Sequence, residues 1–327
     1  MSYPYIDKIL TFENVVEGSK DGFVADPFVI DHNDIEHVFF EIFQRNPREK
    51  TIGCAKQSGD GSWRFLGDAV ANQEIEYSFP YIFREGSEYY MIPSIEHKKK
   101  GGIPIRLYKS ESFPLNWDTQ TTYSIAGGDP VLIEWNQMYY LFTHNDGIRI
   151  YYSADFTRSE WCEHPESPLQ NSQINRMGGR PVIDGDNLYL LYQDGSNHYG
   201  ELVRCFEVKT LNKEQFEQAE ISDSPITCGQ YNGSWNHLGM HHVDFCSESD
   251  FAIVDGHTNN GWSIGLVKSN SEPTRLTPAP NEFSGIQKIR RARRLATDRL
   301  QTMRKVRKYH KDNGTISLFR KAVQKLP

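Results

Sequence analysis

Apolar and polar residues alternate in short runs along most of the chain, and this pattern recurs about every fifty residues. Each recurrence has a small or polar stretch, a proline or its equivalent, an alternating apolar run, a turn and a second aromatic run. The five segments read GFVADPFVIDHNDIEHVFFEIF, IEYSFPYIFREGSEYYMIPS, IAGGDPVLIEWNQMYYLFTH, RMGGRPVIDGDNLYLLYQD and LGMHHVDFCSESDFAIVDG. Alternation with a period of two predicts paired β-strands, and the turns between the runs carry the residue types of β-hairpins.

The repeat is evenly spaced. Pro27, Pro80, Pro130 and Pro181 lie 53, 50 and 51 residues apart, and the fifth segment places Val243 another 62 residues along. A third apolar run follows each hairpin, and several units offer a fourth that begins at a tryptophan. Five even units of four antiparallel strands predict an all-β fold, a five-bladed β-propeller with four-stranded blades. The outer strand of the fifth blade is expected from residues 8–16 or 275–277.

The distribution of charge marks a boundary near the end of the chain. The net charge is −7, but residues 287–327 hold 14 Lys and Arg against two Asp, and the other 286 residues hold 22 basic against 41 acidic groups. We therefore divide the chain into a propeller over residues 1–268, a turn-rich linker over 269–286 and a basic tail over 287–327. Apolar residues recur at helical spacing in the tail, which predicts an amphipathic helix.

A cationic amphipathic helix is typical of segments that adsorb to anionic lipid, so the tail is expected to dock on a membrane surface. A helix packed across the propeller and a helix that binds a protein partner are the alternatives. Nucleic acid is not an expected partner because the body is acidic and the tail has few aromatic residues for base stacking.

Other features favour a cytoplasmic location, at the inner face of the plasma membrane if the tail docks there. The five cysteines are scattered and lack a Cys-x-x-Cys pair, which favours reduced thiols. The first residues lack the charged and apolar regions of a secretory signal, and no apolar run has the length of about 20 residues that spans a bilayer.

The residues before the repeat prolines are expected to converge on one mouth of the central channel. These positions hold Asp26, Phe79, Asp129 and Arg180, and His242 takes the equivalent place in the fifth segment. Three charged residues and a histidine suit a polar site better than a packed core. An Asp before a proline can also simply hold a turn, and Arg180 could form an axial salt bridge to Asp26 or Asp129.

The candidate site follows from these positions and their neighbours. Asp26 and Asp129 are the expected catalytic residues, and the expected substrate contacts are Arg180, His241, His242, Glu41, Gln193, Asp194, Arg176 and Ser78. His241, His242 and Asp244 have the side chains of metal ligands. No metal site is predicted, however, because adjacent strand residues point to opposite faces and both histidines could not easily bind one ion.

The fragments VADPFVI, EHVFFEIF, YSFPYIF, DPVLIEWNQMYYLF, GGRPVIDGDNLYLLYQD, YGELV and WNHLGMHHVDF resemble the N-terminal domain of plant glucosamine inositol phosphorylceramide transferases and their bacterial relatives. More distantly they are similar to the five-bladed furanosidase superfamily, which includes family 43 glycoside hydrolases, invertases and levansucrases. The resemblance covers residues 20–260 and implies a carbohydrate-active propeller.

The resemblance to family 43 hydrolases implies roles for two carboxylates. Asp26 matches the family's base and Asp129 its pKa modulator, but the fourth blade reads Met177-Gly178-Gly179-Arg180-Pro181 where the family's acidic Glu is expected. Since hydrolysis of a glycosidic bond to a sugar normally uses two carboxyl groups, this departure disfavours hydrolysis.

A phosphorylated donor removes the need for an acid, because its leaving group is already good and needs positive charge instead. Arg180, Arg176, His241 and His242 suit that need. We therefore expect a glycosyltransferase that moves a furanosyl or phosphoribosyl-type sugar from a sugar phosphate or nucleotide sugar to a glycan or lipid-linked acceptor in surface polysaccharide synthesis. No cofactor follows from the residues themselves, and Mg²⁺ is the ion that would accompany such a donor. The alternatives are a family 43-like hydrolase and a non-catalytic carbohydrate-binding propeller.

Overall fold

The computed structural model describes residues 6–17, 19–97, 101–169, 171, 173–229, 234–245 and 251–268. Within these residues the fold is a five-bladed β-propeller of four-stranded antiparallel blades, as the repeat predicts. The linker and the basic tail lie outside the described residues. None of the helices in the described part has the length and apolarity to cross a membrane.

The first strand of the chain belongs to the last blade. β1 (Ile6–Leu10) is followed by one turn of helix, α1 (Phe12–Val15), before the first blade begins. β1 pairs antiparallel with the last described strand, Gly261–Lys268, so the two ends of the propeller join within one sheet. Of the two segments expected to complete the fifth blade, the N-terminal one supplies the strand, and it begins two residues earlier than predicted.

The five blades then follow in chain order. The first contains β2 (Gly22–His32), β3 (Ile35–Gln44), β4 (Glu49–Gln57) and β5 (Trp63–Val70). The second contains β6 (Ile75–Glu85), β7 (Glu88–His97), the short β8 (Gly101–Gly102), β9 (Pro104–Ser112) and β10 (Asn116–Ala126). The third contains β11 (Gly128–Trp135), β12 (Met138–His144), β13 (Ile148–Ser153) and β14 (Cys162–Glu163).

The last two blades are less regular. In the fourth blade the inner strand is split into β15 (Arg176–Met177) and β16 (Val182–Asp184), which are followed by β17 (Asn187–Asp194), β18 (Leu202–Leu211), β19 (Phe216–Glu220) and β20 (Thr227–Cys228). The fifth contains β21 (Val243–Phe245), β22 (Phe251–Thr258), β23 (Gly261–Lys268) and β1.

The hairpin turns have the backbone that their residue types favour. Asn33 and Asp34 in the first blade, and Asn136 and Gln137 in the third, all have φ between 50° and 63°. Two consecutive residues with positive φ make a type I′ turn, whose twist matches that of the strands it joins. These turns set the register of the paired residues from the turn up to the register shift at Asp26 and at Asp129.

The hydrophobic core lies between neighbouring blades. One cluster extends from Phe28 in the first blade to Leu190 in the fourth, a second joins the fourth to the fifth, and a third joins the fifth to the first. Because each blade is packed on both faces, the middle strands are buried over consecutive residues: six in β3, from His37 to Ile42. Polar residues buried near the propeller axis therefore lie at the centre of this packed ring.

Candidate functional site

The same backbone feature introduces three of the inner strands. Asp26, Phe79 and Asp129 each precede a repeat proline and have φ of 52°, 47° and 50°. The strand pairing shifts register at each of these points. Positive φ is strained for a residue with a side chain, most of all for Phe, and bulges of this kind redirect side chains. In the fourth blade the residue with positive φ is Gly179, with φ 147°, which a glycine adopts without strain, and Arg180 follows it.

Five polar side chains, which we call the axial cluster, surround the propeller axis: Asp26, Asp129, Arg176, His241 and Asp255. Four of the five are among the candidates from the sequence, and Asp255 is not. The blades that contribute them are the first, third, fourth and fifth. Residues as far apart in the chain as Asp26 and Asp255 are therefore neighbours in space.

Asp255 lies in β22 and organises the fifth-blade side of the axial cluster. Its Oδ1 accepts hydrogen bonds from the backbone N–H groups of His241 at 2.9 Å and His242 at 3.0 Å. Its Oδ2 lies 2.5 Å from His241 Nδ1 and accepts a longer bond of 3.4 Å from the backbone N–H of Asp26. Its carboxylate thus fixes the backbone of both histidines and of Asp26. The signal in the sequence is an acidic residue directly after the apolar run of Phe251–Val254, where an unpaired charge would be costly.

Asp26 is buried and lacks a close cationic partner. Its Oδ1 lies 3.9 Å from His241 Nδ1 and 4.0 Å from His242 Nδ1, and it has no hydrogen-bond partner among the described residues. Burial is the main cause that raises the pKa of Asp26 to about 8; His241 opposes the shift, and the carboxylates of Glu41, Asp255 and Asp129 add to it. The side chain is therefore mainly a neutral carboxylic acid at neutral pH.

Asp129 has the opposite environment. The guanidinium of Arg176 donates two hydrogen bonds to its carboxylate, from Nε to Oδ2 at 2.5 Å and from Nη2 to Oδ1 at 3.0 Å. This is the bidentate geometry that makes Arg–carboxylate pairs strong. Arg176 also lies over the ring of Tyr199 at 5.8 Å, and 30% of its side chain is exposed. The Arg176 guanidinium therefore faces solvent while it neutralises Asp129.

His241 is held between Asp255 and an aromatic stack. Its ring lies parallel to Trp262, with centroids 3.8 Å apart, and His257 stacks on Trp262 at 4.4 Å. Burial opposes protonation of His241, but the carboxylate of Asp255 outweighs it and raises the pKa of the imidazole. The pKa of the neighbouring imidazole shifts in the opposite direction, since burial lowers the pKa of His242 to about 4. One histidine therefore favours the charged form and the next is neutral.

Arg180 has structural partners. It donates from Nε to Asp244 Oδ1 at 2.8 Å, from Nη1 to the carbonyl oxygen of Ile82 at 2.6 Å and from Nη2 to that of Val29 at 3.3 Å. One side chain thus connects the first, second, fourth and fifth blades. An axial salt bridge was one reading of the sequence, but the partner is Asp244 instead of Asp26 or Asp129. Contact between Arg180 and a substrate stays a prediction.

The other candidates lie around the axial cluster with varied partners. Glu41 stands opposite Ala25 in the first blade and pairs with Lys50 Nζ at 3.1 Å. Gln193 stands opposite Arg176 and donates to the carbonyl oxygen of Met177 at 2.8 Å.

Two further candidates are less directly linked to the cluster. Asp194 accepts hydrogen bonds from Arg204 and Ser196, which is a structural role. Ser78 precedes Phe79 and stands opposite Ser94 in the second blade. Their contact with substrate also stays a prediction.

The donor set of a metal site is present in part. Ligand atoms of Asp26, His241 and Asp255 all lie within 4.8 Å of one another. The objection that adjacent histidines must diverge does not apply, because His241 and His242 precede β21 and both Nδ1 atoms lie about 4 Å from Asp26. Mg²⁺ prefers an octahedral shell of oxygen atoms, and this set has one nitrogen. His241 Nδ1 lies 2.5 Å from Asp255 Oδ2, so these two ligand atoms face each other as an ion pair.

The chain is similar in sequence to a family of known proteins. Residues 1–257 match the family model described as glucosamine inositolphosphorylceramide transferase 1, N-terminal. The transferase of that name from Oryza sativa subsp. japonica is 29% identical over 276 residues, which cover 78% of this chain and 36% of that protein. The Arabidopsis thaliana protein is 28% identical over 273 residues, with 78% and 35% covered. The chain therefore spans about a third of the length of the curated relatives it matches.

Solved structures show the same fold. A thermostable family-43 glycoside hydrolase superposes with a TM-score of 0.55 at 15% identity, covering 79% of this chain and 96% of that one. An α-L-arabinofuranosidase from Podospora anserina superposes with a TM-score of 0.60 at 11% identity, covering 82% and 95%. At these identities the likeness establishes the five-bladed architecture, and the chemistry must be argued from the axial cluster.

Proposed function

Because the chain belongs to the family of the N-terminal domain of glucosamine inositolphosphorylceramide transferases, we propose that it is a glycosyltransferase. In this proposal the axial cluster transfers a glycosyl group from a phosphorylated donor to a glycolipid or glycan acceptor. The observation that carries the proposal is the state of Asp26: a buried carboxyl group with no cation within hydrogen-bond distance, since His241 Nδ1 lies 3.9 Å away, in a cluster where Asp129 and Asp255 each have one. The names of the relatives favour transfer to a glycolipid.

The proposed role of Asp26 is to accept a proton from the attacking hydroxyl group of the acceptor. Asp26 is mainly protonated at neutral pH, so the ionised fraction performs this step. The raised pKa makes that carboxylate a stronger base than an ordinary aspartate, and a base with a pKa near the working pH is the most effective. As the proton moves to Asp26, the acceptor oxygen bonds to the anomeric carbon. The bond from that carbon to the donor's phosphate oxygen breaks, and the phosphate leaves with the electron pair.

The proposed role of Arg176 and His241 is to stabilise the charge on the departing phosphate. Arg176 presents a partly exposed guanidinium, and Asp255 favours the protonated form of His241. Preorganised positive charge of this kind is the main requirement when the leaving group is already good. A furanosyl or phosphoribosyl-type donor fits the superfamily's furanose substrates by analogy. Mg²⁺, if bound by the donor's phosphates, would add to the same charge.

A thermal-shift screen of sugar phosphates and nucleotide sugars, with and without Mg²⁺, tests this proposal. We expect a phosphorylated donor to raise the melting temperature and Arg176→Met to remove that shift. A mass-spectrometric assay with the stabilising donor and a glycolipid acceptor should then detect the product. Stabilisation by neutral sugars alone would contradict the proposal.

Two other functions have specific support. A carbohydrate-binding module without catalysis is favoured by the short span of the chain, since catalysis in the relatives could lie in the part it does not match. In that case Asp26→Asn should bind glycan as well as the unsubstituted protein does. A hydrolase is favoured by the structural neighbours, and should release sugar from aryl furanosides.

We also propose that the basic segment 287–327 brings the enzyme to an anionic membrane surface at the cytoplasmic face, where a lipid-linked acceptor would lie. Its 14 basic residues, against two acidic ones, support this proposal, because each basic residue near such a surface contributes about 1 kcal/mol. Cosedimentation with vesicles of anionic phospholipid should be lost when residues 287–327 are deleted. Unchanged cosedimentation would refute the proposal.

A further inference from the structure

One aromatic side chain beside the axial cluster is open to solvent. Tyr199 is 57% exposed, more than any other large apolar or aromatic residue in the part of the chain that the structure describes. Its ring meets the His241 imidazole at right angles, with centroids 5.4 Å apart. The Arg176 guanidinium lies 5.8 Å from the ring centre, and its Nη1 donates a long hydrogen bond of 3.4 Å to the Tyr199 hydroxyl. Tyr199 therefore forms part of the outer surface of the axial cluster.

The loop that carries Tyr199 connects β17 to β18 and is fixed near both of its ends. At its start Asp194 Oδ1 accepts hydrogen bonds from the backbone N–H of Ser196 at 2.9 Å and from its hydroxyl at 2.6 Å. At its end Gly200 packs so closely that a Cβ atom there would lie 2.5 Å from the Trp262 ring. A tyrosine has few rotatable bonds, and one on a fixed backbone loses little conformational entropy when it binds a ligand. The exposed ring is thus preorganised for a contact.

A buried hydrogen-bond acceptor lies on the same side of the fourth blade. Gln193 stands opposite Arg176 in the pairing of β15 with β17, and paired residues of antiparallel strands point to the same face of a sheet. Gln193 is 3% exposed, and its Nε2 donates to the carbonyl oxygen of Met177. Its Oε1 is buried and has no hydrogen-bond partner among the described residues. Since a buried acceptor costs free energy unless it receives a hydrogen bond, this oxygen suits a hydroxyl group of a ligand.

The surroundings of Tyr199 differ from those of the other exposed apolar residues. Ile35 and Ile183 are 40% and 38% exposed, and both lie beside hairpin turns, in β3 and β16. Single exposed apolar residues of that kind are ordinary on a protein surface. Tyr199 instead adjoins a guanidinium and an imidazole of the candidate site. An apolar ring among a few placed polar groups is the composition of a small-molecule site.

We propose that Tyr199 is a substrate-binding residue of the axial site, and that its ring packs against the apolar C–H face of the donor's sugar. The phosphate of the donor lies against Arg176, and Gln193 Oε1 accepts a hydrogen bond from a hydroxyl group of the sugar. A phosphate on the anomeric carbon is one bond from the sugar ring, so a single sugar phosphate reaches both Tyr199 and its neighbour Arg176. This inference rests on the proposed function and adds the residue that recognises the sugar.

Calorimetric titration with glucose 1-phosphate and with ribose 1-phosphate tests the proposal, with inorganic phosphate as a separate arm. We expect at least one of the two sugar phosphates to bind, and Tyr199→Leu to weaken its binding about five- to tenfold, the effect of a lost aromatic contact. Tyr199→Phe keeps the ring and should retain most of the affinity. Inorganic phosphate has no C–H face, so its binding should be the same in Tyr199→Leu as in the unsubstituted protein.

The matched control is Ile183→Ala, which removes an exposed apolar side chain from the same blade. It should bind the sugar phosphate as the unsubstituted protein does. Thermal unfolding without ligand should show that Tyr199→Leu is as stable as Ile183→Ala, because both side chains are exposed. A weaker affinity in Tyr199→Leu then reports the contact with the ligand and not a change of fold.

Each opposite result has a defined meaning. Unchanged affinity in Tyr199→Leu would overturn the proposal, as would equal weakening in Ile183→Ala or a failure of both sugar phosphates to bind the unsubstituted protein. If Tyr199→Leu weakened the binding of inorganic phosphate as much as that of the sugar phosphate, the ring would act through Arg176 and not on the sugar. Sugar-phosphate binding that depends on Tyr199 without any glycosyl transfer would count against the proposed function alone.

Discussion

The first and third blades each have an aspartate with the same unusual backbone conformation, but the two carboxyl groups have different surroundings. Asp26 and Asp129 both precede a repeat proline, both have φ near 50°, and both are buried. Arg176 neutralises Asp129 through two hydrogen bonds, whereas the nearest imidazole nitrogens are about 4 Å from Asp26 Oδ1. The repeat therefore determines where a carboxyl group lies, and its neighbours determine whether it has a cation within hydrogen-bond distance.

Substitution of the two aspartates should give the largest difference. We expect Asp26→Asn to lower the rate of glycosyl transfer by about 10²- to 10⁴-fold, the usual contribution of a general base. Asp129→Asn should cause a smaller loss, since it weakens only the pair that orients Arg176. The rate of product formation from the donor found by thermal shift measures both. Equal losses of rate would show that the two positions are equivalent in function.

The two arginines of the fourth blade should differ in stability. Arg180→Met leaves the fully buried carboxylate of Asp244 without its guanidinium and removes donors to the Val29 and Ile82 carbonyls. Loss of one partner of a buried ion pair typically costs about 3–5 kcal/mol. Arg176→Met should cost less, since its side chain is partly exposed. Urea denaturation measures the free energy of unfolding of both variants. A larger loss in Arg176→Met would show that Arg180 is not the main link between the blades.

The structural partners of these residues also show how far sequence reasoning extends. Alternation, turn residues and proline spacing are local, and they predict the five blades and the positions of Asp26 and Asp129. Asp255 and Trp262 are not among the candidates from the sequence, because their importance comes from contacts between blades that are distant in the chain. Arg180 was a candidate for substrate binding for the same reason: nothing local to it reveals Asp244.

The stability of the protein should depend on pH through Asp26. Its pKa is raised from 3.8 to about 8 on folding, so the folded state binds more protons than the unfolded state between about pH 4 and about pH 8. The contribution of Asp26 to the free energy of unfolding therefore falls as the pH rises through that window, by up to about 1.4 kcal/mol per pH unit.

Urea denaturation at several pH values, with and without Asp26→Asn, measures this contribution. The difference between the two proteins should decline from low to high pH. The same substitution at Asp184, in the hairpin turn of the fourth blade, controls for removal of one carboxylate. A difference that stays constant with pH would show that Asp26 titrates as an ordinary aspartate.

The smallest effect is expected at Gly200, which packs closely against Trp262 and His241. Gly200 has φ 74°, and a Cβ atom there would lie 2.5 Å from the Trp262 ring and 3.1 Å from His241. Gly86 has φ 61° but open space around its Cβ position. Strain alone should make Gly86→Ala cost about 1–2 kcal/mol, and Gly200→Ala about 1–3 kcal/mol more because of overpacking. Equal losses in thermal unfolding would mean that Trp262 and His241 move without cost.

The most direct test of the account is the titration of Asp26 itself. Carbon-13 NMR of protein labelled at the aspartate carboxyl carbons should show one signal with a midpoint near pH 8, and that signal should be absent in Asp26→Asn. A midpoint near pH 4 would show that Asp26 is charged at neutral pH and that the axial cluster does not hold it as a neutral acid.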